Sequence, residues 1–412
     1  MNEQKKQTAL VPSEQPEANL PVPVKQSYWS KVSRAYTLIS RALLVSLPLF
    51  VVVFMALCSR AFTYESVFCF FKDVQSTASF IPSDHQTVYY TYEEIPGPVL
   101  SFRGGIAAVN GGGIEVYSPD GEKLLEQQGT MHQPRAVSSR KYLLAYDFGG
   151  NAFTVTNTYA KLYAGKTDYP IYMADVDDIG QIALVTGAEN HLSCVQIYNG
   201  NFELIQRFNR ASATVGVALC SNGKYVAILG LESRDGVPGT VLELYRIGGK
   251  EPVFVQRMEG EMPLCVDFTD NRNLAVLTDS ALRVCNLDGK WRNEITLGDD
   301  TALEMVCNEN GCMLALSTDA LAAKNTVLVL DKKGNILYRG ELVGDIAAIS
   351  LGKRHAFVLT QQKITDINVS EGTQTQYACR SGAEDLFALD DERLRVIYRG
   401  MAEYIYLNEE GK

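Results

Sequence analysis

Histidine and tryptophan are scarce in this chain of 412 residues, which holds four of the first and two of the second. His85, His132, His191 and His355 share no ligand spacing with one another or with cysteine, so no zinc site is expected. Basic residues are also in deficit, 38 against 48 acidic ones, and past residue 60 the balance is 31 against 45. Such a surface repels a phosphate backbone and argues against nucleic acid as a partner. Phosphate and dinucleotide loops are missing. The GKT at Gly165 to Thr167 lacks its leading glycine, whose place falls on Ala160, and the triplet Gly111 to Gly113 reads as a hairpin loop. Asp175, Asp177 and Asp178 resemble a calcium loop only superficially, since no bidentate glutamate follows at the required distance, which leaves a polar turn. With no catalytic constellation in view, neither an enzymatic activity nor a cofactor is expected.

Long apolar runs are absent except one. Ala42 to Ser59 is uncharged and bracketed by Arg41 and Arg60. At roughly 1.5 Å per helical residue it nearly spans a hydrocarbon core of about 30 Å, and the expectation is a single transmembrane helix over 35–60. Lys25, Lys31, Arg34 and Arg41 precede the run and Arg60 and Lys72 follow it, which places the N-terminus in the cytoplasm and the rest outside. A cleaved signal peptide, with Ser59-Arg60-Ala61 as its site, is disfavoured by the long charged segment in front. Lipid attachment at Cys58 fails because Leu57 stands where a small residue is needed. Residues 1–34, with Pro12, Pro16, Pro21 and Pro23 and no apolar period, read as a disordered tail. Residues 61–86 read as a short juxtamembrane helix and a linker.

From Thr87 to the end the texture is short strands in repeats of about 40 residues. The second strand of the unit recurs eight times: GGIAAV, KYLLAY, QIALVT, KYVAIL, NLAVLT, CMLALS, RHAFVL and RLRVIY, from Gly104 to Tyr398. Ala145, Ala183, Ala227, Ala275, Ala315 and Ala356 occupy a recurring small position in it. Four strands per repeat over 87–412 predict an all-β, eight-bladed propeller. The last copy supplies only three strands, and the orphan strand Thr87 to Ile95 is expected to complete it. Of nine cysteines, six sit in apolar strand-like runs and read as buried thiols; a cross-link or two stays open, and Cys307 and Cys312 flank one turn.

The segment Lys141 to Asn157 (KYLLAYDFGGNAFTVTN), together with the apolar run through TYESVFCFFKDV, resembles a family of membrane-anchored propellers of unknown function from Gram-positive anaerobes. The resemblance implies a fold similar to WD40-like and quinoprotein-like propellers. The tryptophan of the quinoprotein docking pattern is matched only at Trp291, and the WD dipeptide is absent.

Two functional readings follow. The first is a membrane-anchored, extracytoplasmic, non-catalytic binding or scaffold module for a protein or cell-wall polymer. The alternative is a hydrolytic or quinone-dependent enzyme whose residues converge at the central channel. Carboxylates, histidine or arginine around that channel would favour the enzyme, and an aromatic outer patch would favour the binder. The face carrying the connections between second and third strands is expected to point away from the membrane and to carry the partner site. Leu231 to Gly239 and Asp319 to Lys324 read there as its long loops, with Glu232, Arg234, Asp235 and Asp147 as candidate contacts.

Overall fold

The computed structural model describes residues 28–57 and 87–407, and within the first segment the side chains of 32–47. The chain divides into two compact units, residues 1–68 and 69–412. The described part of the first is one helix, Tyr28–Leu57, which starts seven residues ahead of the expected boundary at 35. Neither proline nor glycine interrupts Tyr28 to Leu47, so nothing delays it. Among the described residues no helix is long and apolar enough to cross a membrane. The expected transmembrane helix over 35–60 is therefore not supported: of the apolar run only Ala42 to Leu47 have described side chains, too few to span a bilayer, and Cys58 and Ser59 lie outside the described residues. The expected juxtamembrane helix and the tail before Tyr28 also lie outside them.

The second unit bears out the eight-bladed propeller. Eight antiparallel sheets of four strands follow one another, blades 1 to 7 spanning 99–128, 134–166, 171–210, 213–259, 263–296, 301–343 and 346–378. In each the first strand is innermost and the fourth outermost. All eight recurring segments form second strands, and they are the core: Leu143, Ile182, Val226, Leu274, Leu314, Phe357 and Leu394 are each fully buried between blades. Burying one such side chain contributes about 1.5–3 kcal/mol.

Blade 8 closes the ring from both chain ends. Its strands run Ala383–Ala388, Arg393–Tyr398, Met401–Tyr406 and, outermost, Thr87–Tyr89, paired as Thr87↔Glu403, Val88↔Ala402 and Tyr89↔Met401. The orphan strand is thus where the sequence puts it but shorter than Thr87 to Ile95. Buried Glu115 of blade 1 explains the early exit, because it accepts hydrogen bonds from the backbone N–H and the hydroxyl of Thr91 at 3.0 and 2.7 Å and draws the chain off the sheet. The seam with blade 1 holds Arg395, which is wholly buried, stacks 3.9 Å over the Tyr404 ring and donates to the Pro119 carbonyl. Tyr404 in turn donates to the Gly104 carbonyl at 3.2 Å.

The cysteines divide. Cys307 and Cys312, cross-strand partners in blade 6, form a disulfide. Cys194, Cys220 and Cys285 are buried free thiols, and Cys265 and Cys379 are half-buried ones. Sequence spacing left this pairing open because many strand neighbours are equally close along the chain.

Candidate interaction face

Up-and-down strands give the ring two unlike faces. One carries the turns within strand pairs one–two and three–four; the other, here the loop face, carries the two–three connections and the links between blades. Polar side chains knit the turn face from blade to blade. Asp178 accepts the Arg140 N–H at 2.9 Å, Asn271 accepts the Ser221 hydroxyl at 2.9 Å, and Asp391 accepts the N–H groups of Lys353 and Arg354 at 3.1 and 2.8 Å. The guanidinium of Arg140, in blade 2, also pairs with Glu309 in blade 6, on the opposite side of the ring. Asp177, read as part of a polar turn, accepts the N–H groups of Ile179 and Gln181 at 3.0 and 2.8 Å.

Four inner strands bring carboxylates to the axial ends of the clefts between blades: Asp175, Asp267, Glu304 and Asp385, all half-buried. Three stand directly opposite the recurring alanines, as Asp175↔Ala183, Asp267↔Ala275 and Glu304↔Ala315, so the small position makes room for an acid. An inner strand has one unpaired edge whose N–H groups need acceptors. Asp175 accepts the Leu219 N–H of blade 4 at 2.6 Å and Glu304 the Ile349 N–H of blade 7 at 3.1 Å, while the Ser350 hydroxyl accepts the Ala388 N–H of blade 8 at 2.9 Å. Burial pushes Asp175, Asp267 and Glu304 up to about 7 and Asp385 up to about 6; facing acids add to the rise, Asp267 for Asp175 and Asp385 for Glu304.

A pH dependence follows. These acids hold their proton more tightly folded than unfolded, where a carboxylate titrates near 4, so their stabilisation is complete below about 4 and is lost as pH rises through 7. Asp267→Asn should raise the melting temperature at pH 8 by about 2–4 °C, a gain that shrinks as the pH falls and vanishes near pH 4. A thermal melt series over that range checks it; a variant less stable than wild type at pH 8 contradicts it.

On the loop face, the stretch Leu231 to Gly239 is not a loop. The second and third strands of blade 4, Tyr225–Arg234 and Val237–Arg246, run on past their neighbours as a two-stranded ribbon. They close in a two-residue turn at Asp235-Gly236, both with positive φ (51° and 80°), the primed-turn geometry that matches strand twist. Pro238, which has no N–H, pairs with Ser233 and gives its carbonyl to the Gly260 N–H at 2.9 Å. Asp319 to Lys324 is a short turn whose Asp319 accepts the N–H groups of Leu321 and Ala322.

Of the candidate contacts, Glu232, Arg234 and Asp235 share this ribbon and are exposed or partly so; Glu232 pairs with Arg257 of the outer strand. Glu232 and Arg234 line a groove of about 720 Å³ with Leu192, Ser212, Pro238 and Arg257, between the loop ends of blades 3 and 4. Asp147 is not brought to it. It sits two blades before the ribbon, 6% exposed, accepting the backbone N–H groups of His132 and Gln133 at 2.9 and 2.7 Å and facing the His132 ring at 3.2 Å. The His132 and Gln133 contacts hold its carboxyl below the usual range against burial.

Residues that sequence reasoning missed form an arc of exposed apolar side chains along the loop ends of five consecutive blades. Blade 2 gives Phe148, which meets Tyr172 of blade 3 edge to face at 6.1 Å. Leu192 of blade 3 and Val237 of blade 4 are 67% and 51% exposed, and Met262, Leu264 and Leu303 lead into blades 5 and 6. Leu321 is fully exposed and Val343 is 75% exposed in blade 6. Further exposed apolar residues, among them Ile179, Leu204, Val253 and Ile336, are spread over the outer strands and turn ends of blades 3, 4 and 6.

The geometry is that of an eight-bladed β-propeller with an acid-lined inner wall and an apolar rim on its loop face. Residues 86–407 match the family of unknown function DUF5711, and the chain belongs to that family. No curated protein matches it. Among solved structures it is similar to BamB from Moraxella catarrhalis, at 11% identity and a TM-score of 0.52 over 77% of this chain and 99% of that one, a likeness of fold. It also resembles Hsv2 from Kluyveromyces lactis (10% identity, TM-score 0.48, 69% and 98% covered) and hydrazine synthase from Kuenenia stuttgartiensis (10% identity, TM-score 0.45, 77% and 97% covered).

Proposed function

We propose that this protein is a membrane-anchored, extracytoplasmic propeller that acts as a non-catalytic binding or scaffold module, docking a protein partner on its loop face. The apolar arc from Phe148 to Val343 carries the reading. Large apolar side chains grouped on one face and rimmed by polar residues mark interaction sites, because exposure costs solubility that a monomer without a partner has no reason to forgo. The ribbon ending at Asp235-Gly236 raises one wall of a groove beside that arc. Replacing Ser233 to Pro238 by Asn-Gly keeps the hairpin parity and removes the ribbon. The expected result is loss of partner capture from crosslinked membranes with the melting temperature held within about 2 °C, since surface changes of this kind cost little. Changing the turn at Asp288-Gly289 on the other face should leave capture intact; the reverse pattern contradicts the proposal.

The anchor and the orientation rest on the sequence: the uncharged run Ala42 to Ser59 and the excess of Lys and Arg before it. Protease added to intact cells is expected to remove the propeller and spare the N-terminal tail. A propeller resistant until the cells are lysed overturns this part.

The inner carboxylates favour a second reading, a hydrolytic enzyme. The backbone amides bound by Asp175 and Glu304 give two of them an architectural role, and the inner strands contain no histidine to serve as a proton-transfer partner. Asp267→Asn and Glu304→Gln separate the readings: the scaffold keeps partner capture and cellular phenotype, whereas the enzyme loses the phenotype with capture unchanged.

A further inference from the structure

We infer that the loop ends of blades 5 and 6 take a basic, amphipathic polypeptide segment; this rests on the docking face proposed above and adds the chemistry of its occupant. Met262 and Leu264 flank the start of strand Pro263–Asp270, Leu303 lies in Thr301–Asn308, Leu321 in the turn before Lys324–Leu330, and Val343 ends Ile336–Val343. Each is exposed. Glu259, at the end of strand Pro252–Glu259 of the adjoining blade 4, and Asp299, Asp319, Glu341 and Asp345, at or beside these strand ends, are also exposed.

Charge decides among occupants. None of these five carboxylates is in an ion pair among the described residues, whereas neighbouring Glu261 is held by Arg283 and Glu232 by Arg257. Asp319 accepts two backbone N–H groups and Asp345 the Gln361 amide, contacts that leave the negative charge uncompensated. Lys324, the cross-strand neighbour of Asp319, is a basic residue beside them that pairs with none of the five. A neutral apolar ligand covering this sector would desolvate carboxylates without pairing them, which is costly. An anionic lipid surface would be repelled. A segment with alternating apolar and Lys or Arg side chains covers the apolar residues and pairs the acids, and charge complementarity of this kind also speeds association.

The test is a fluorescence titration of the full chain with an amphipathic leucine–lysine peptide of about two heptads, beside its glutamate-for-lysine and serine-for-leucine counterparts. The leucine–lysine peptide is expected to bind at least about tenfold tighter than either counterpart, and to lose about tenfold on Leu321→Ser with Val343→Ser and again on Glu341→Lys with Asp345→Lys. Ile336→Ser with Leu337→Ser, at the turn end of the same blade, should change binding less than about twofold. Equal binding of the glutamate peptide, or equal loss from the turn-end pair, overturns the inference. A photo-crosslinker at Leu321 that traps an acidic or neutral protein segment overturns the basic occupant while leaving the docking face in place. No crosslink from any loop-face position overturns both.

Discussion

A chain ending before Ala402 is expected not to form a cooperatively folding domain. The lost strand Met401–Tyr406 holds Ala402, Tyr404 and, just beyond, Leu407 at 1–5% exposed, and among the described residues it is the only sheet partner of Thr87–Tyr89. Removing it uncovers Val88 and Ile397, which pack against Ile106 and Tyr117 of blade 1, and leaves the buried charge of Arg395 without the Tyr404 ring. Several side chains at about 1.5–3 kcal/mol each approach the 5–15 kcal/mol that ordinarily separates folded from unfolded domains. Val88→Asp is a milder version, placing a carboxylate at a 1% exposed site between two blades. It should lower the melting temperature by about 5 °C or more through an unpaired buried charge. Circular dichroism melts of both variants beside the ribbon replacement check the order of effects. A truncated chain that melts like the intact one would show that the ring does not depend on this seam.

Asp147→Ala should cost about 2–3 kcal/mol, whereas Asp235→Ala should cost under about 0.5 kcal/mol. Both were candidate contacts, and the structure gives them opposite surroundings. The Asp147 carboxylate binds two backbone N–H groups of the link between blades 1 and 2, and alanine leaves those donors with water at best. Asp147→Asn keeps one acceptor oxygen and should fall between. Asp235 stands exposed at the ribbon tip, where an alanine loses only some of the ease with which aspartate adopts positive φ. Chemical denaturation of the three variants measures this; equal stability of Asp147→Ala and wild type would return Asp147 to the list of exposed contacts.

How far the fold was legible follows from the range of each signal. Second strands lie between two neighbours in their own sheet and between two blades, so their apolar runs recur undiluted, as in KYVAIL and NLAVLT. Ring closure was legible because strand count failed by one at the C-terminus and exceeded it by one at Thr87. The ribbon of blade 4 was misread although Asp235-Gly236 between extended segments is a strong hairpin signal. Its polar flank, Glu232 to Arg234, looks like a loop because no core faces it. The inner carboxylates were hidden for another reason: Asp175 owes its role to Leu219, 44 residues away in the next blade, and no local pattern encodes that contact. Exposure of Leu321 and Val343 was equally invisible, since an apolar residue at a strand end reads as core until the neighbouring blade is placed.

The most direct measurement is site-specific photo-crosslinking in living cells from paired positions on the two faces of the full chain. Val237, Met262 and Leu321 on the loop face are each replaced by a photo-reactive residue, with Ile179, Leu204 and Ile336 as counterparts toward the turns. The account predicts that the loop-face positions trap a common protein partner and that the counterparts do not. A partner trapped from the turn-face positions, or none from any of the six, would contradict it.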